Sequence, residues 1–402
     1  MATIGLRVRS NHDQTFRYRI LRNIQYWGDR LRQLGNDSAV LEQHRNQILT
    51  ALTFALDDNQ ARPYAYAVIE QFAGFMERRG YWQSWHQILD RAQAAARRST
   101  DLAHEVQMLA LLARLLQREN RLREAIRHYR RLIYLSREAQ DAFNEARAYT
   151  NLGFLYSRLE FWYRAEVLCW RALKRFEEIN NNYGRAHTEN HLGILFTKTS
   201  RWAFAADHLN RACAIWQEMG DNHGLMKGLI NLSSLYIDSE RPTEAIYHLK
   251  KAVEQAELTG DVVEYGTIYL NMSAAYNLSG DYVTGAAYAY QAETLFQQYA
   301  NKYYLAITWG NLGASLVGQG KWLEADHYLR ASIETCRKLG NKYEEINALS
   351  HKVKLELARG DQVEAAKFIK KLENLAAQYR RQEVFKKKIA LKLKEFGREL
   401  GK

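Results

Sequence analysis

The 402 residues carry a formal charge of +12, are 47% hydrophobic, and include only three cysteines and two prolines. No apolar run reaches the length of a membrane span, and the opening residues 1–7 lack the apolar stretch of a secretory signal. Cys169, Cys213 and Cys336 are odd in number and far apart, which argues against a disulfide framework and for buried free thiols in a reducing, cytoplasmic compartment.

In chain order, residues 13–34 and 38–57 are expected as two helices of less regular spacing, with Phe16, Ile20, Ile24, Trp27 and Leu31 forming an apolar stripe on the first. Residues 1–61 are therefore read as an N-terminal helical cap. Its basic residues Arg17, Arg19 and Arg22 are interleaved with Phe16, Tyr18 and Tyr26, a composition suited to phosphate contact. A regular array starts near residue 62. Arg79-Gly80-Tyr81-Trp82 with Trp85, and then Arg118-Glu119-Asn120-Arg121 with Glu124-Ala125, occupy matching places 40 residues apart.

The same interval is clearest further on. Asn151, His191, Asn231, Asn271, Asn311 and His351 recur every 40 residues, most followed by Leu-Gly, Leu-Ser or Met-Ser. Fourteen residues after each stands Ala165, Ala205, Ala245, Gly285, Ala325 or Ala365. So strict a period identifies a repeat array. Within a unit, Ala146, Tyr149, Leu152, Tyr156 and Leu159 step by three and four, one face of a helix. A second helix is expected from Trp162 to about Ile179, with Ala165, Cys169 and Ala172 inward.

Breaks alternate between Ser239-Glu240-Arg241-Pro242, Gly280-Asp281, Gly320-Lys321 and Gly360-Asp361 within units, and Gly220-Asp221, Gly260-Asp261, Ala300-Asn301 and Gly340-Asn341 between them. Each pair is expected to end one helix with a left-handed residue and to cap the next. Mid-helix Gly153 and Gly193 cost helix propensity, so close approach by a neighbouring helix is expected there. Residues 62–380 thus yield about eight helix pairs, none able to bury its apolar face without neighbours. Residues 381–402 are read as a basic capping helix with Val384, Ile389, Leu391 and Leu393 among lysines, and residues 367–402 hold twelve Lys or Arg against four Glu.

The elements Leu152-Gly153, Tyr156, Ala165 and Ala172, and again Leu232-Ser233, Tyr236, Ala245 and Ala252, resemble the tetratricopeptide repeat in its longer form of about 40 residues. The resemblance covers roughly residues 100–380. It implies an all-α, right-handed superhelical solenoid of antiparallel helix pairs, with first helices lining a concave groove. Gly285, in place of the first alanine, is expected to loosen its helix slightly. The segment 41–52, with Phe75, Gly80, Trp82 and Trp85, is similar to the helical sensor region of bacterial STAND regulators. No Gly-x-x-x-x-Gly-Lys-Ser/Thr loop accompanies it, so the expectation is a sensor array apart from its NTPase.

In long-repeat adaptors the asparagine before Leu-Gly hydrogen-bonds the main chain of an extended peptide. The resemblance assigns that role to Asn151, Asn231, Asn271 and Asn311, with His191 and His351 departing from the pattern. An amide offers one donor and one acceptor side to a peptide unit whatever its side chain. Helical spacing adds Arg147, Phe154 and Arg158, then His187, Asn190 and Lys198, then Lys227, Asn277 and Lys354 to the candidate partner-binding face. The cations give that face an expected positive lean, suited to an acidic or C-terminal carboxylate ligand. The alternative for the asparagines is local or inter-helix hydrogen bonding that stabilises the array. Most of the 25 tyrosines, and Trp162, Trp202 and Trp322 at second-helix starts, are read as packing residues.

No His-Glu-x-x-His, Cys-x-x-Cys or nucleophile-elbow motif occurs, and although His187 and His191 are four apart, Glu189 between them points elsewhere. No metal, cofactor or enzymatic activity is therefore expected. The sequence is read as a cytoplasmic adaptor or sensor that holds a peptide segment or protein partner in its groove. The alternatives are a nucleic-acid-associated regulator using Arg17, Arg19, Arg22, Lys386, Lys387 and Lys388, or a structural subunit of a larger assembly.

Overall fold

The computed structural model describes residues 2–35, 38–79, 81–259, 262–298, 301–377, 383–399 and 401. The described chain is an all-α solenoid of paired antiparallel helices without strands, as the periodicity requires. It opens with α1 (Ala2–Leu34), α2 (Ser38–Ala55), α3 (Arg62–Arg78), α4 (Trp82–Arg98), α5 (Leu102–Arg118), α6 (Leu122–Glu138) and α7 (Ala142–Arg158). It continues with α8 (Trp162–Glu178), α9 (Asn182–Lys198), α10 (Trp202–Glu218), α11 (Asn222–Asp238), α12 (Pro242–Thr259) and α13 (Val262–Ser279). The last elements are α14 (Tyr282–Gln298), α15 (Lys302–Gly318), α16 (Trp322–Lys338), α17 (Lys342–Ala358), α18 (Gln362–Ala377) and α19 (Glu383–Glu399). From α3 to α18 the odd-numbered helices are the first of each pair.

The punctuation follows the alternating breaks at half the repeat length. A residue with positive φ stands at nearly every twentieth position: Thr100, Asn120, Gln140, Glu160, Asn180, Ser200, Gly220, Glu240, Gly280, Gly320, Gly340 and Gly360. Each is a left-handed C-terminal residue. At the first of them, the Thr100 N–H donates to Arg97 O and the Asp101 N–H to Ala96 O, at 3.2 and 3.0 Å, so the end carbonyls of α4 are satisfied. The following residue then starts the next helix: Asp101, Asn181, Asp221, Asn301 and Asn341 each accept a main-chain N–H three residues on. The expected breaks at 220–221 and 340–341 take this form, whereas 260–261 and Ala300 lie outside the described residues.

The chain divides into two compact units, residues 1–155 with 174–179, and residues 156–173 with 180–402. In the first, α1 packs on α2 and α3, and Ile24, Trp27 and Leu31 are buried as the stripe requires. Phe16 departs from that stripe. It is 53% exposed and meets the edge of the Phe54 ring, with centroids 6.1 Å apart.

In the second unit, the backbones of consecutive first helices (α9, α11, α13, α15, α17) approach one another, while those of consecutive second helices stay farther apart. First helices therefore form the inner side of this unit. Close approach explains its glycines: a Cβ on Gly313 would lie 2.5 Å from Leu329 Cγ, and Leu329 and Leu209 cover Gly313 and Gly193 in the same way. The helix α19 closes the end, with Ile389 and Phe396 buried against α17 and α18. Leu391, expected in its apolar stripe, is exposed instead, because Phe396 and Ile389 set a face that leaves Leu391 outward.

Candidate functional site

On each first helix, four positions spaced four, three and four apart face inward and stay partly open. In the second unit these positions hold His187, His191, Ile194 and Lys198 on α9, and Lys227, Asn231, Ser234 and Asp238 on α11. They continue with Asn271 and Ala274 on α13, Asn311 and Ala314 on α15, and His351 and Lys354 on α17. Of these, Lys198 and Lys354 are exposed and the rest half-buried. The same register in the first unit brings Arg147, Asn151 and Phe154 to half-buried positions on α7.

The asparagines are not idle. Asn231 Nδ2 donates to Asn190 Oδ1 at 2.9 Å, Asn271 Nδ2 to Ser233 Oγ and Ser234 Oγ at 3.3 and 3.2 Å, and Asn311 Nδ2 to Leu270 O at 3.2 Å. Each of these bonds runs from one first helix to the one before it. Asn151 instead donates to Arg147 O within its own helix, at 2.9 Å. Both uses match the stabilising alternative. Among the described residues, the Oδ1 atoms of Asn231, Asn271 and Asn311 accept no hydrogen bond, so each amide is held by its donor side and keeps its acceptor. Two further candidates are engaged between helices. Asn190 is buried and serves Asn231, and Asn277 bridges α13 to α15 by donating to Asn311 O at 2.9 Å while accepting from Ser315 Oγ at 2.7 Å. Asn277 also fills the space left by Gly285, where a Cβ would lie 3.2 Å from Asn277 Cγ. The glycine makes room for a polar bridge.

Two of the lysines expected to give the wall a positive lean have acidic neighbours in the second unit. Lys198 Nζ lies 4.0 Å from Asp238, Lys227 Nζ lies 4.0 Å from Glu264, and Glu344 on α17 takes a hydrogen bond from Asn347 Nδ2 at 3.1 Å. An acidic residue on the next first helix thus sits opposite Lys198 and Lys227. Burial raises the Glu344 carboxyl pKa above the ordinary carboxylate value, opposed by Lys198 nearby. The two histidines that replace asparagine are held neutral: burial pulls His191 down to about 4 and His351 to about 3, with Lys392 and Lys354 pushing His351 further.

His187 stands edge-on to Tyr183 and Trp216, with centroids 4.4 and 5.4 Å away, and burial lowers its pKa. Glu189 does point elsewhere, into a buried contact with His208 Nδ1 at 2.5 Å. The tyrosines Tyr265, Tyr269, Tyr276 and Tyr288 form a chain of ring contacts, the last two stacked at 5.6 Å, joining α13 to α14 as packing. In the first unit, Arg147 lies over the Phe143 ring at 5.9 Å, and Arg17, Arg19 and Arg22 are exposed, with Arg17 Nε 4.0 Å from Asp58. Arg158 is exposed in the second unit, and the side chains of Lys386, Lys387 and Lys388 lie outside the described residues.

Sequence reasoning missed a second periodic set. Glu105, Glu145 and Glu345 are buried at 40-residue register and are met by Arg97 at 3.2 Å, Arg137 at 2.6 Å and Arg337 at 2.9 Å, each eight residues earlier. Every such pair ties a second helix to the next first helix. Scanning the same frame for charge as well as for asparagine finds it.

The tetratricopeptide repeat family matches residues 109–143 and 144–218. No curated protein matches the chain in sequence. Among solved structures, aspartyl phosphate phosphatase F from Bacillus subtilis is similar with a TM-score of 0.60 at 13% identity, over 91% of this chain and 95% of that one. The Rap conjugation gene regulator of plasmid pLS20, solved in complex with the Phr* peptide, gives 0.60 at 13% over 90% and 96%. A STAND protein with a tetratricopeptide repeat sensor from Pyrococcus horikoshii gives 0.56 at 15%, over 80% of this chain but only 47% of its own length. At these identities the likeness establishes a shared fold.

Proposed function

We propose that this chain is a peptide- or protein-binding regulator, without catalytic activity of its own, whose second unit holds an extended segment along its inner wall. The observation that carries the reading is the line Asn231, Asn271 and Asn311, each amide fixed by its donor side and keeping its acceptor free. Three acceptors at one-repeat intervals suit the N–H groups of an extended backbone, giving affinity with little dependence on sequence. Side-chain preference would come from Lys198, Lys227 and Lys354. The role is narrower than an amide paired on both sides, since the donors are already in use. The peptide complex of the pLS20 regulator, a protein of similar fold, supports a segment of this kind as the occupant.

The test is a display selection of random decapeptides against the full chain, followed by calorimetry on recovered sequences. Asn271 is the position to change first, because its amide is held only by hydroxyls at 3.2 and 3.3 Å. Asn271→Ala should weaken binding about three- to tenfold, and the triple alanine variant of Asn231, Asn271 and Asn311 by more than tenfold. The triple variant also gives up inter-helix bonds of about 1 kcal/mol each, so its melting is measured beside its binding. Peptides that bind the folded triple variant as tightly as the unaltered chain would remove the groove from the account.

A further inference from the structure

The line of asparagines does not reach α5. There the register of Arg147, Asn151 and Phe154 holds Gln107, the buried Leu111 and Arg114, with the exposed Arg118 one turn on. Arginine gathers where the amide is missing. Glu77, buried on α3 at 3% exposure, holds two of these cations. Arg114 donates to its Oε1 from Nε and Nη2 at 3.1 and 2.8 Å, and Arg118 Nε lies 2.9 Å from its Oε2. A guanidinium carries five N–H groups in a rigid fork, so both keep donors for a further acceptor.

Arg147 is held differently. Half-buried on α7, its guanidinium donates no hydrogen bond and has no carboxylate at ion-pair distance among the described residues. Its contact is the Phe143 ring on its own helix, 5.9 Å away. Burial keeps the group below the ordinary arginine value, and the like charge of Arg114 adds to this. The buried Tyr129 phenol on α6 feels Arg147, Arg114, Glu77 and Arg118 together, so these four groups gather around one spot. Two other carboxylates act on Arg147 only from a distance. Asp141 is committed to Asn144, accepting from its main-chain N and Nδ2 at 2.9 and 2.7 Å, and Glu70 is exposed on α3. A cation drawn from water beside another cation, without a paired carboxylate, costs free energy that an incoming anion recovers.

We propose that Arg147, Arg114 and Arg118 form a binding site for a phosphoryl group in the first unit. The site is independent of the peptide reading of the second unit. Three guanidinia against one buried carboxylate leave two positive charges. A phosphoryl group carries about −1.5 to −2 at pH 7 and offers three strong acceptor oxygens, which matches both the charge and the number of forks. A lone carboxylate would occupy one fork and leave the remaining excess in place. Glu77 orients the two forks of α5, and Arg147 meets the oxyanion from α7.

Inorganic phosphate is the first probe, titrated into the full chain at low ionic strength and followed by calorimetry and by melting. Phosphate should bind saturably and raise the melting temperature, and acetate should do neither. Arg147→Gln should weaken phosphate binding at least about fivefold. Arg123→Gln, which removes an exposed arginine from α6 of the same unit, should leave it unchanged. Since Arg147 gives up no bond to a described residue, Arg147→Gln should melt no lower than the unaltered chain in phosphate-free buffer. A lower melting temperature would show the guanidinium to be held by the fold and would overturn the open site. Equal weakening by Arg147→Gln and Arg123→Gln would reduce the effect to general charge attraction and overturn it too.

A second arm separates the two sources of a phosphoryl group. Decapeptides with a central phosphoserine in otherwise random sequence are compared with free phosphoserine and with the same peptides carrying serine. Phosphopeptides that bind at least about tenfold more tightly than free phosphoserine, and lose that affinity in Arg147→Gln, assign the source to a phosphorylated partner segment. Equal affinities assign it to a free phosphate ester. Peptides that bind as tightly with serine as with phosphoserine would contradict the phosphoryl assignment.

Discussion

His191 and His351 occupy places where neighbouring repeats carry asparagine, and burial keeps both neutral in the folded chain. Above pH 6.5 neither folded nor unfolded state is protonated there, and the two residues contribute nothing to pH dependence. As pH falls below 6.5, the unfolded chain gains protons that the folded chain refuses until about pH 4 at His191 and about pH 3 at His351, so stability is lost across that window. His191→Asn and His351→Asn should each flatten the loss of denaturant stability between pH 7 and pH 4.5; unchanged slopes would show the rings to be protonated in the folded state. Lys352 makes a second residue-level case. Its side chain is fully buried, and it pairs with Asp326 and Glu356 beneath the Phe368 ring. Lys352→Met leaves the buried Glu356 with only Arg359, 3.8 Å away, as a cation and should cost about 3 kcal/mol in chemical denaturation. The lysine is visible in the sequence. Its burial is not, because Asp326 lies 26 residues away on another helix.

At the scale of the helix, the 20-residue rhythm was half legible. Glycine marked the breaks at 220, 280, 320, 340 and 360, and Pro242 the turn at 239–242, but Gln140 and Glu160 hold the same left-handed conformation without any turn signature nearby. Register alone, extended at half the repeat length, would have located them. A Cβ in this region costs about 1 kcal/mol or somewhat more, so Gln140→Gly and Glu240→Gly should each raise stability by roughly 0.5–1 kcal/mol. Gly320→Ala, at φ +74°, should lower it. Melting curves of the three variants check both signs. Gly313→Ala tests the other use of glycine. The gain in helix propensity, about 1 kcal/mol, is opposed by a Cβ 2.5 Å from Leu329, and overpacking of about 1–3 kcal/mol should win. A more stable Gly313→Ala would mean that α15 and α16 are not in close contact there.

At the scale of the whole chain, the repeat interval carried the fold, because one register dictates both helices, their caps and the face each buries. The same interval located Asn231, Asn271 and Asn311 on one wall. It was silent on what their amides do, since a bond from one first helix to the last depends on the distance between helices 40 residues apart. The acidic neighbours of two of its lysines were not legible for the same reason: Asp238 and Glu264 face Lys198 and Lys227 only once the helices are stacked. The central claim is that an extended segment lies along the inner wall of the second unit. Photo-crosslinking tests it most directly, with benzoylphenylalanine placed at Ala274 and Ala314 inside, and at Tyr247 and Lys250 on the exposed side of α12. A selected peptide should couple to the two inner positions and to neither outer one. Coupling at Tyr247 or Lys250 in place of Ala274 and Ala314 would contradict the account.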